Sequence, residues 1–168
     1  IVGNYVGTAG LSAVSQSSLI INFAVMVCFG VSNAGQVLVS QALGSDKRDR
    51  LNSIIGTLFS MLIILSLVFT FVFICFHKQI LTLIRVPKES FADAGTYLII
   101  CSVGLVFTAG YNMISAVLRG MGDSKRPMLF ILIATVINLV LDIIFTGFWG
   151  WGVAGAAWAT IIGQAAAF

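Results

Sequence analysis

Charge is scarce in this 168-residue chain, and the scarcity decides its class. Asp, Glu, Lys and Arg together make up 9% of the residues, whereas 59% are hydrophobic. A soluble domain is nearer a quarter charged. The composition excludes an ordinary soluble domain and predicts an integral membrane protein. The net charge of +3 does not indicate nucleic-acid binding, because the basic residues lie in the connections between apolar runs, where they set membrane topology.

Residues for metal chemistry or covalent catalysis are equally few. His77 is the single histidine and stands at the edge of an apolar run, and the three cysteines lie in apolar segments without metal-ligand spacing. Free cysteines of this kind are usually small buried hydrophobes. A membrane enzyme would need a nucleophile–base pair or a metal cluster, so we predict that the protein is not an enzyme and has no cofactor.

Long apolar runs are what the sequence has instead, and they predict the transmembrane helices. They cover residues 11–43, 51–76, 94–118, 127–147 and 153–168, with residues 1–10 as the end of a truncated helix. The chain shows no signal peptide and ends inside an apolar run, so we interpret it as a fragment of a longer protein.

Two of these regions have distinct expectations. The first run is about 50 Å long if fully helical, and Gly30, Ser32 and Gly35 in it favour close helix packing, with a cavity lining as the alternative. The second run has few polar groups and suits a lipid-facing helix. After it, we predict a connection with a short surface helix near residues 80–84, ended by Pro87.

One acid, Asp142, lies inside an apolar run, whereas every other Asp or Glu falls in or beside a polar connection. A carboxylate at bilayer depth is costly unless it is paired, hydrated or protonated, so it marks a candidate functional site. Asn138 is four residues earlier and therefore on the same helix face. The pair predicts a site for a proton or a small cation, with a purely structural hydrogen bond as the alternative.

Other polar groups in the runs are weaker candidates. Asn112 fits interhelical hydrogen bonding as well as a site role. Thr160 belongs to a stripe of small residues with Gly152 and Ala156, which allows close helix approach, and Gln164 extends that face.

The distribution of basic residues predicts the orientation. If four spans are complete, the connections 44–50 and 119–126 lie on one side with six basic residues, against Lys78, Arg85 and Lys88 on the other. The positive-inside rule places the six in the cytoplasm. Trp149 and Trp151 then lie in the outer turn, as interfacial anchors.

Three segments resemble the multidrug and toxic compound extrusion (MATE) family. They are VLVSQALGSDKR (37–48), AVLRGMGDSKRPM (116–128) and NLVLDIIFTGFWGWGVAGAAWATIIGQ (138–164). The resemblance implies an all-α, polytopic helix bundle of five to six helices, one lobe of a two-lobe transporter with twelve helices. The chain would be the N-terminal lobe from the end of the first helix to most of the sixth.

The resemblance also implies a cation or proton site in this lobe. Asn138 and Asp142 match the family's pair on the fifth helix, Thr160 matches its sixth helix, and Asn112 matches its fourth. The family's acid on the first helix would precede Ile1. Carboxylate, amide and hydroxyl oxygens suit Na⁺, while a carboxyl group in a low-dielectric pocket favours a proton, so the coupling ion stays open.

We therefore predict an antiporter in the plasma membrane that exports drugs or organic cations in exchange for Na⁺ or H⁺, with a C-terminal lobe of the same chain as its partner. A lipid-linked oligosaccharide flippase of the same superfamily is the alternative. Such a flippase should carry Arg or Lys in its cavity for pyrophosphate, and the predicted spans contain none. A structural protein, in which Asp142 merely pairs with another helix, is a further possibility.

Overall fold

The computed structural model of the chain describes residues 7–45 and 50–167, with the backbone alone at residue 9. Five α-helices account for most of these residues. They are α1 Gly7–Gly44, α2 Leu51–Leu83, α3 Phe91–Gly120, α4 Lys125–Asp142 and α5 Gly152–Ala167. A short 3₁₀ turn, Lys88–Ser90, precedes α3, and a π-helix, Ile143–Phe148, follows α4.

The all-α fold class implied by the family resemblance is confirmed for the described residues. Within residues 7–45 and 50–167, four segments are long and apolar enough to cross a membrane, and α5 is a shorter apolar helix. The chain is therefore a multi-pass membrane protein. The predicted helix end at residues 1–10 and the predicted basic connection 44–50 lie largely outside the described residues.

α3 is the central helix of the bundle and contacts each of the other four. The side chains that it buries are mostly small, among them Ala94, Ser102, Gly104 and Ala109. A Cβ atom at Gly104 would lie 2.6 Å from Cγ1 of Ile161 on α5. Small residues allow this approach, and without a hydrophobic drive between helices in lipid it is close packing that holds the bundle together.

α1 runs beside α3 in the same direction. At Gly35 a Cβ atom would lie 2.5 Å from Cδ1 of Leu58 on α2, and Ser32 is buried with its hydroxyl bonded to the Cys28 carbonyl. The approach at Gly35 agrees with the predicted close packing, whereas a Cβ atom at Gly30 would meet nothing within 4 Å. The helix continues without interruption to Gly44.

α2 extends further than the predicted span of residues 51–76. Phe76 departs from helical geometry, with φ −111° and ψ 15°, and the helix then continues to Leu83. The predicted short helix near residues 80–84 corresponds to the segment of α2 that follows the kink at Phe76, and this segment ends at Leu83. Leu81 is fully buried, so the segment packs against the bundle through this residue. Arg85, with φ 57°, ends the helix in the left-handed conformation.

α4 and α5 form an antiparallel hairpin. A Cβ atom at Gly155 would lie 3.0 Å from the carbonyl carbon of Phe145, and one at Gly163 would lie 3.0 Å from Cβ of Asn138. α4 presents much of its remaining surface outward. The position of its polar residues is therefore fixed mainly by α5.

The two ends of the bundle have different connections. At one end, which we call the Arg119 end, α1 and α3 finish and α2 and α4 begin. At the other end, the Trp149 end, the turn after the π-helix carries Trp149 and Trp151, both at least half exposed and stacked on Phe145 at 5.2 and 5.3 Å between ring centroids. Exposed tryptophans at a helix end fit the predicted interfacial role.

Candidate functional site

Asp142 is the last residue of α4, at the point where the helix widens into the π-helix Ile143–Phe148. Its side chain is half-buried, and its Oδ1 atom is buried without a hydrogen-bonding partner among the described residues. None of the described residues forms an ion pair with Asp142. Single π-turns inside helices occur frequently at functional sites, and a buried carboxylate oxygen without a partner is costly.

The structure joins two of the other predicted residues directly. Asn138 on α4 donates from Nδ2 to Oγ1 of Thr160 on α5, at 3.4 Å. Thr160 in turn donates to the carbonyl of Ala156 at 2.9 Å. No hydrogen bond to the amide oxygen of Asn138 is formed among the described residues. Asp142 is four residues after Asn138, so the carboxylate of Asp142, the amide of Asn138 and the hydroxyl of Thr160 occur within about one helical turn.

This grouping depends on the hairpin packing. Gly163 brings α5 against the backbone of α4, with a hypothetical Cβ atom 3.0 Å from the Ala134 carbonyl oxygen. The close approach puts Thr160 opposite Asn138. A groove of about 200 Å³ lies along this contact, and its polar lining residues are Thr135, Asn138, Thr160 and Gln164.

Asn112 is not brought to this cluster. Thr108 on α3 donates to Oε1 of Gln164 on α5, which fixes the register of the two helices. Asn112 is one turn beyond Thr108, and Thr160 is one turn before Gln164, so the two are displaced by about two turns, roughly 11 Å along the axis. The role of Asn112 in the ion site stays a prediction.

Sequence reasoning missed Tyr97 and Thr108. Tyr97 is largely buried, and its side chain approaches those of Ser18 on α1, Cys101 on α3 and Thr160 on α5. The signal was present in the third apolar run, because Tyr97, Cys101, Gly104 and Thr108 recur at helical spacing and so share one face.

Comparison with known proteins identifies the family. A sequence profile described as MatE matches residues 1–144. The chain belongs to the MatE family. Among curated proteins, the chain is 37% identical over 167 residues to the probable multidrug resistance protein YpnP of Bacillus subtilis (strain 168), covering 99% of this chain and 38% of the relative.

Further matches agree with this membership. The probable multidrug resistance protein YoeA of the same organism is 29% identical over 171 residues, with 99% of this chain and 37% of the relative covered. A crystal structure of MATE in the straight conformation superposes with a TM-score of 0.92 at 22% identity, covering 99% of this chain and 38% of that one. The chain spans less than two fifths of the length of the MatE relatives that it matches, and the predicted resemblance to this family is confirmed.

Proposed function

We propose that this chain is part of the N-terminal lobe of a plasma-membrane antiporter, which exports drugs or organic cations in exchange for Na⁺ or H⁺. The supporting observation is the buried, unpartnered Oδ1 of Asp142 beside the Asn138–Thr160 contact. A carboxylate in this position calls for a positive partner. Among the described residues no cation supplies one permanently, so a mobile ion is the partner that fits.

The chemistry of the cluster allows either ion. Na⁺ takes carboxylate, amide and hydroxyl oxygens as hard ligands, and these are the groups of Asp142, Asn138 and Thr160. A proton would instead bind Asp142 alone and cancel its charge. In both cases, the bound ion shifts the transporter between inward- and outward-facing states only to the extent that it binds one state more tightly.

Multidrug export is supported by the family and by the names of the curated relatives YpnP and YoeA. The substrate would use the cleft between this lobe and a C-terminal lobe of the same chain. The flippase alternative requires a cationic cavity for pyrophosphate. The predicted spans contain no Arg or Lys, which favours the drug exporter.

The decisive experiment replaces the acid in the full-length transporter. Asp142→Asn keeps the shape of the side chain and removes its negative charge, so cation-driven export of a fluorescent organic cation from proteoliposomes should fall to background. Asp93→Asn, at an exposed acid in the first turn of α3, is the matched control and should export normally. Undiminished export by the Asp142→Asn protein would remove this residue from the mechanism.

A further inference from the structure

An apolar groove lies between α1 and α2, in the half of the bundle nearer the Trp149 end. Its volume is about 530 Å³, within the range of about 300–1,000 Å³ that is common for ligand pockets. Its apolar lining consists of Leu19, Ile20 and Phe23 on α1 and of Phe73, Ile80 and Ile84 on α2. Leu19 is 67% exposed and Phe23 is 63% exposed, so this groove, which we call the lateral groove, opens to the outside of the bundle.

The lateral groove extends from the hydrocarbon region of the membrane to the level of the lipid headgroups. α2 has 33 residues and is therefore about 50 Å long, whereas the hydrocarbon core is about 30 Å thick. The last turns of α2 carry Lys78, and Arg85 follows the helix. Charged side chains at helix ends lie in the headgroup region. The inner end of the groove, at Phe73, is thus at the depth of acyl chains, and its outer end, at Ile84, is at the depth of headgroups.

The kink at Phe76 lies between these two ends, because Phe73 precedes it and Ile84 follows it. After the kink, α2 rests on α3. A Cβ atom at Gly95 would lie 3.8 Å from Cδ1 of Leu81, and Leu81 is fully buried. The wall of the groove that α2 supplies is therefore held in place by α3, and the groove is formed before any ligand binds.

Arg85, directly after the groove residue Ile84, has an unusual backbone conformation. α2 ends in a Schellman motif, in which the N–H of Val86 donates to the Leu81 carbonyl and that of Arg85 donates to the Thr82 carbonyl, both at 3.1 Å. The motif places Arg85 in the left-handed region, with φ 57°, where glycine has the lowest energetic cost. A cationic side chain therefore occupies a position at which the backbone favours glycine, which points to a role for its charge.

The charge of Arg85 is available to a ligand. Its side chain is exposed, and no acid within residues 7–45 and 50–167 forms an ion pair with it. Gln16, the polar residue of the lining, is the one on α1 nearest the Trp149 end, so its amide lies toward the same end of the groove. A guanidinium group binds phosphate through two parallel hydrogen bonds. The lateral groove thus combines an apolar length with a phosphate-binding group at headgroup depth.

We propose that the lateral groove binds one phospholipid from the leaflet at the Trp149 end, with an acyl chain between α1 and α2 and the phosphate on Arg85. A phospholipid matches the apolar lining, the depth and the positive charge together. An organic cation would be repelled by Arg85 and matches the apolar lining alone. The proposal concerns a lipid and does not depend on the antiport function.

The site is tested with a phosphatidylglycerol that carries a photoreactive diazirine in one acyl chain. The probe is added to the full-length protein in micelles of an uncharged maltoside detergent, and labelled residues are identified by mass spectrometry. Labelling should be several-fold higher at Leu19 and Phe23 than at Leu67 and Phe71, which are also exposed but do not line the groove. A diacylglycerol with the same diazirine chain lacks the phosphate and should label all four positions alike.

Arg85→Gly tests the phosphate contact without harm to the fold. It removes the cation and gives the left-handed position its preferred residue, so the melting temperature in lipid-free micelles should be at least that of the unmodified protein. The excess labelling of the groove by the phosphatidylglycerol probe should disappear. Arg85→Lys retains the charge and should keep part of the excess. Lys78→Gln, at an exposed cation of α2 that does not line the groove, is the control and should keep all of it.

Four results would overturn the phospholipid site. Equal labelling of groove and control positions by the phosphatidylglycerol probe would mean that no lipid is held there, as when another part of the full-length protein covers the groove. An equal excess with the diacylglycerol probe, or an undiminished excess in Arg85→Gly, would mean that the phosphate is not recognised. A lower melting temperature of Arg85→Gly in lipid-free micelles would show that the arginine serves the fold instead. None of these measurements requires transport, so a failure of the Asp142 mechanism leaves them unaffected.

Discussion

Oxygen atoms without partners are the most informative residue-scale feature of this chain. Among the described residues, Asp142 and Ser115 each have a buried side-chain oxygen without a hydrogen-bonding partner. Many other hydroxyl groups on these helices donate to a backbone carbonyl of the same helix. Thr57, Ser60 and Thr135, for example, all donate to carbonyls of their own helix. A hydroxyl that donates to a carbonyl of its own helix has no need of a further partner. The unpartnered oxygens of Asp142 and Ser115 therefore mark the positions where a mobile partner is needed.

Thr160 provides a test of the cluster at this scale. Thr160→Val is isosteric and removes both the acceptor for Asn138 and an oxygen ligand, so the affinity for the coupling cation should fall about tenfold, the order expected for a lost contact to a charged group. The measurement is the cation dependence of drug export by the full-length transporter in proteoliposomes.

Two variants control that test. Thr160→Ser retains the hydroxyl and should behave like the unmodified protein. Thr57→Val removes an exposed hydroxyl that bonds only within α2 and should have no effect. An unchanged cation dependence in Thr160→Val would exclude Thr160 from the ion site.

Small residues decide the packing at the scale of helices. Where Gly155 faces Phe145, the atoms that a side chain would meet are mainly backbone, and backbone in a helix cannot yield as a flexible side chain can. The hairpin of α4 and α5 is thus held at a separation at which any side chain larger than that of glycine would crowd the α4 backbone. The Asn138–Thr160 contact depends on this separation.

Gly155→Ala should therefore destabilise the protein, by about 1–3 kcal/mol as is typical of overpacking, and should weaken cation coupling as α4 and α5 move apart. Gly56→Ala is the control, because a Cβ atom at Gly56 meets nothing within 4 Å. Thermal unfolding of the purified proteins in detergent, followed by intrinsic tryptophan fluorescence, gives the comparison. Equal melting temperatures for the two variants would contradict the tight hairpin.

The existence of each helix was predictable from the sequence, but the residues at which helices end and the helices that each one contacts were predicted less well. Hydropathy ended the second span at residue 76, because His77 and Lys78 follow, whereas the backbone continues as a helix to Leu83. Hydropathy reports the polarity of the side chains and not the hydrogen bonding of the backbone. His77 and Lys78 therefore ended the predicted span, although the helix resumes after the kink at Phe76.

The site was predictable only in part, for a related reason. Asn138 and Asp142 share one helix, so the spacing alone placed them together. The contact with Thr160 required the register of the hairpin, and the bond between Thr108 and Gln164 required the register of α3 and α5. The register between helices in lipid is set by the packing of small residues. A single sequence shows where small residues lie, but it does not show which residues of a neighbouring helix they contact.

At the scale of the whole molecule, the orientation in the membrane is the testable feature. In a cysteine-free background of the full-length transporter, an impermeant thiol reagent added to intact cells should label Glu89→Cys at the Trp149 end, but not Ser124→Cys at the Arg119 end. In inverted membrane vesicles the pattern should be reversed, because basic connections remain in the cytoplasm. Labelling of Ser124→Cys from outside would invert the topology.

The connection between α3 and α4 has a consequence for how such sequences are recognised. Gly120 passes close to the Gln36 carbonyl, Gly122 takes a φ of +88°, and Asp123 accepts from the backbone N–H groups of Lys125 and Arg126. Each of these residues serves the geometry of the corner, and none approaches the acid. The stretch RGMGDSKRP therefore indicates the fold of this corner and not the transported substrate. Two transporters could have this stretch in common, residue for residue, and still transport unrelated substrates. Substrate specificity therefore depends on the side chains that face the interior.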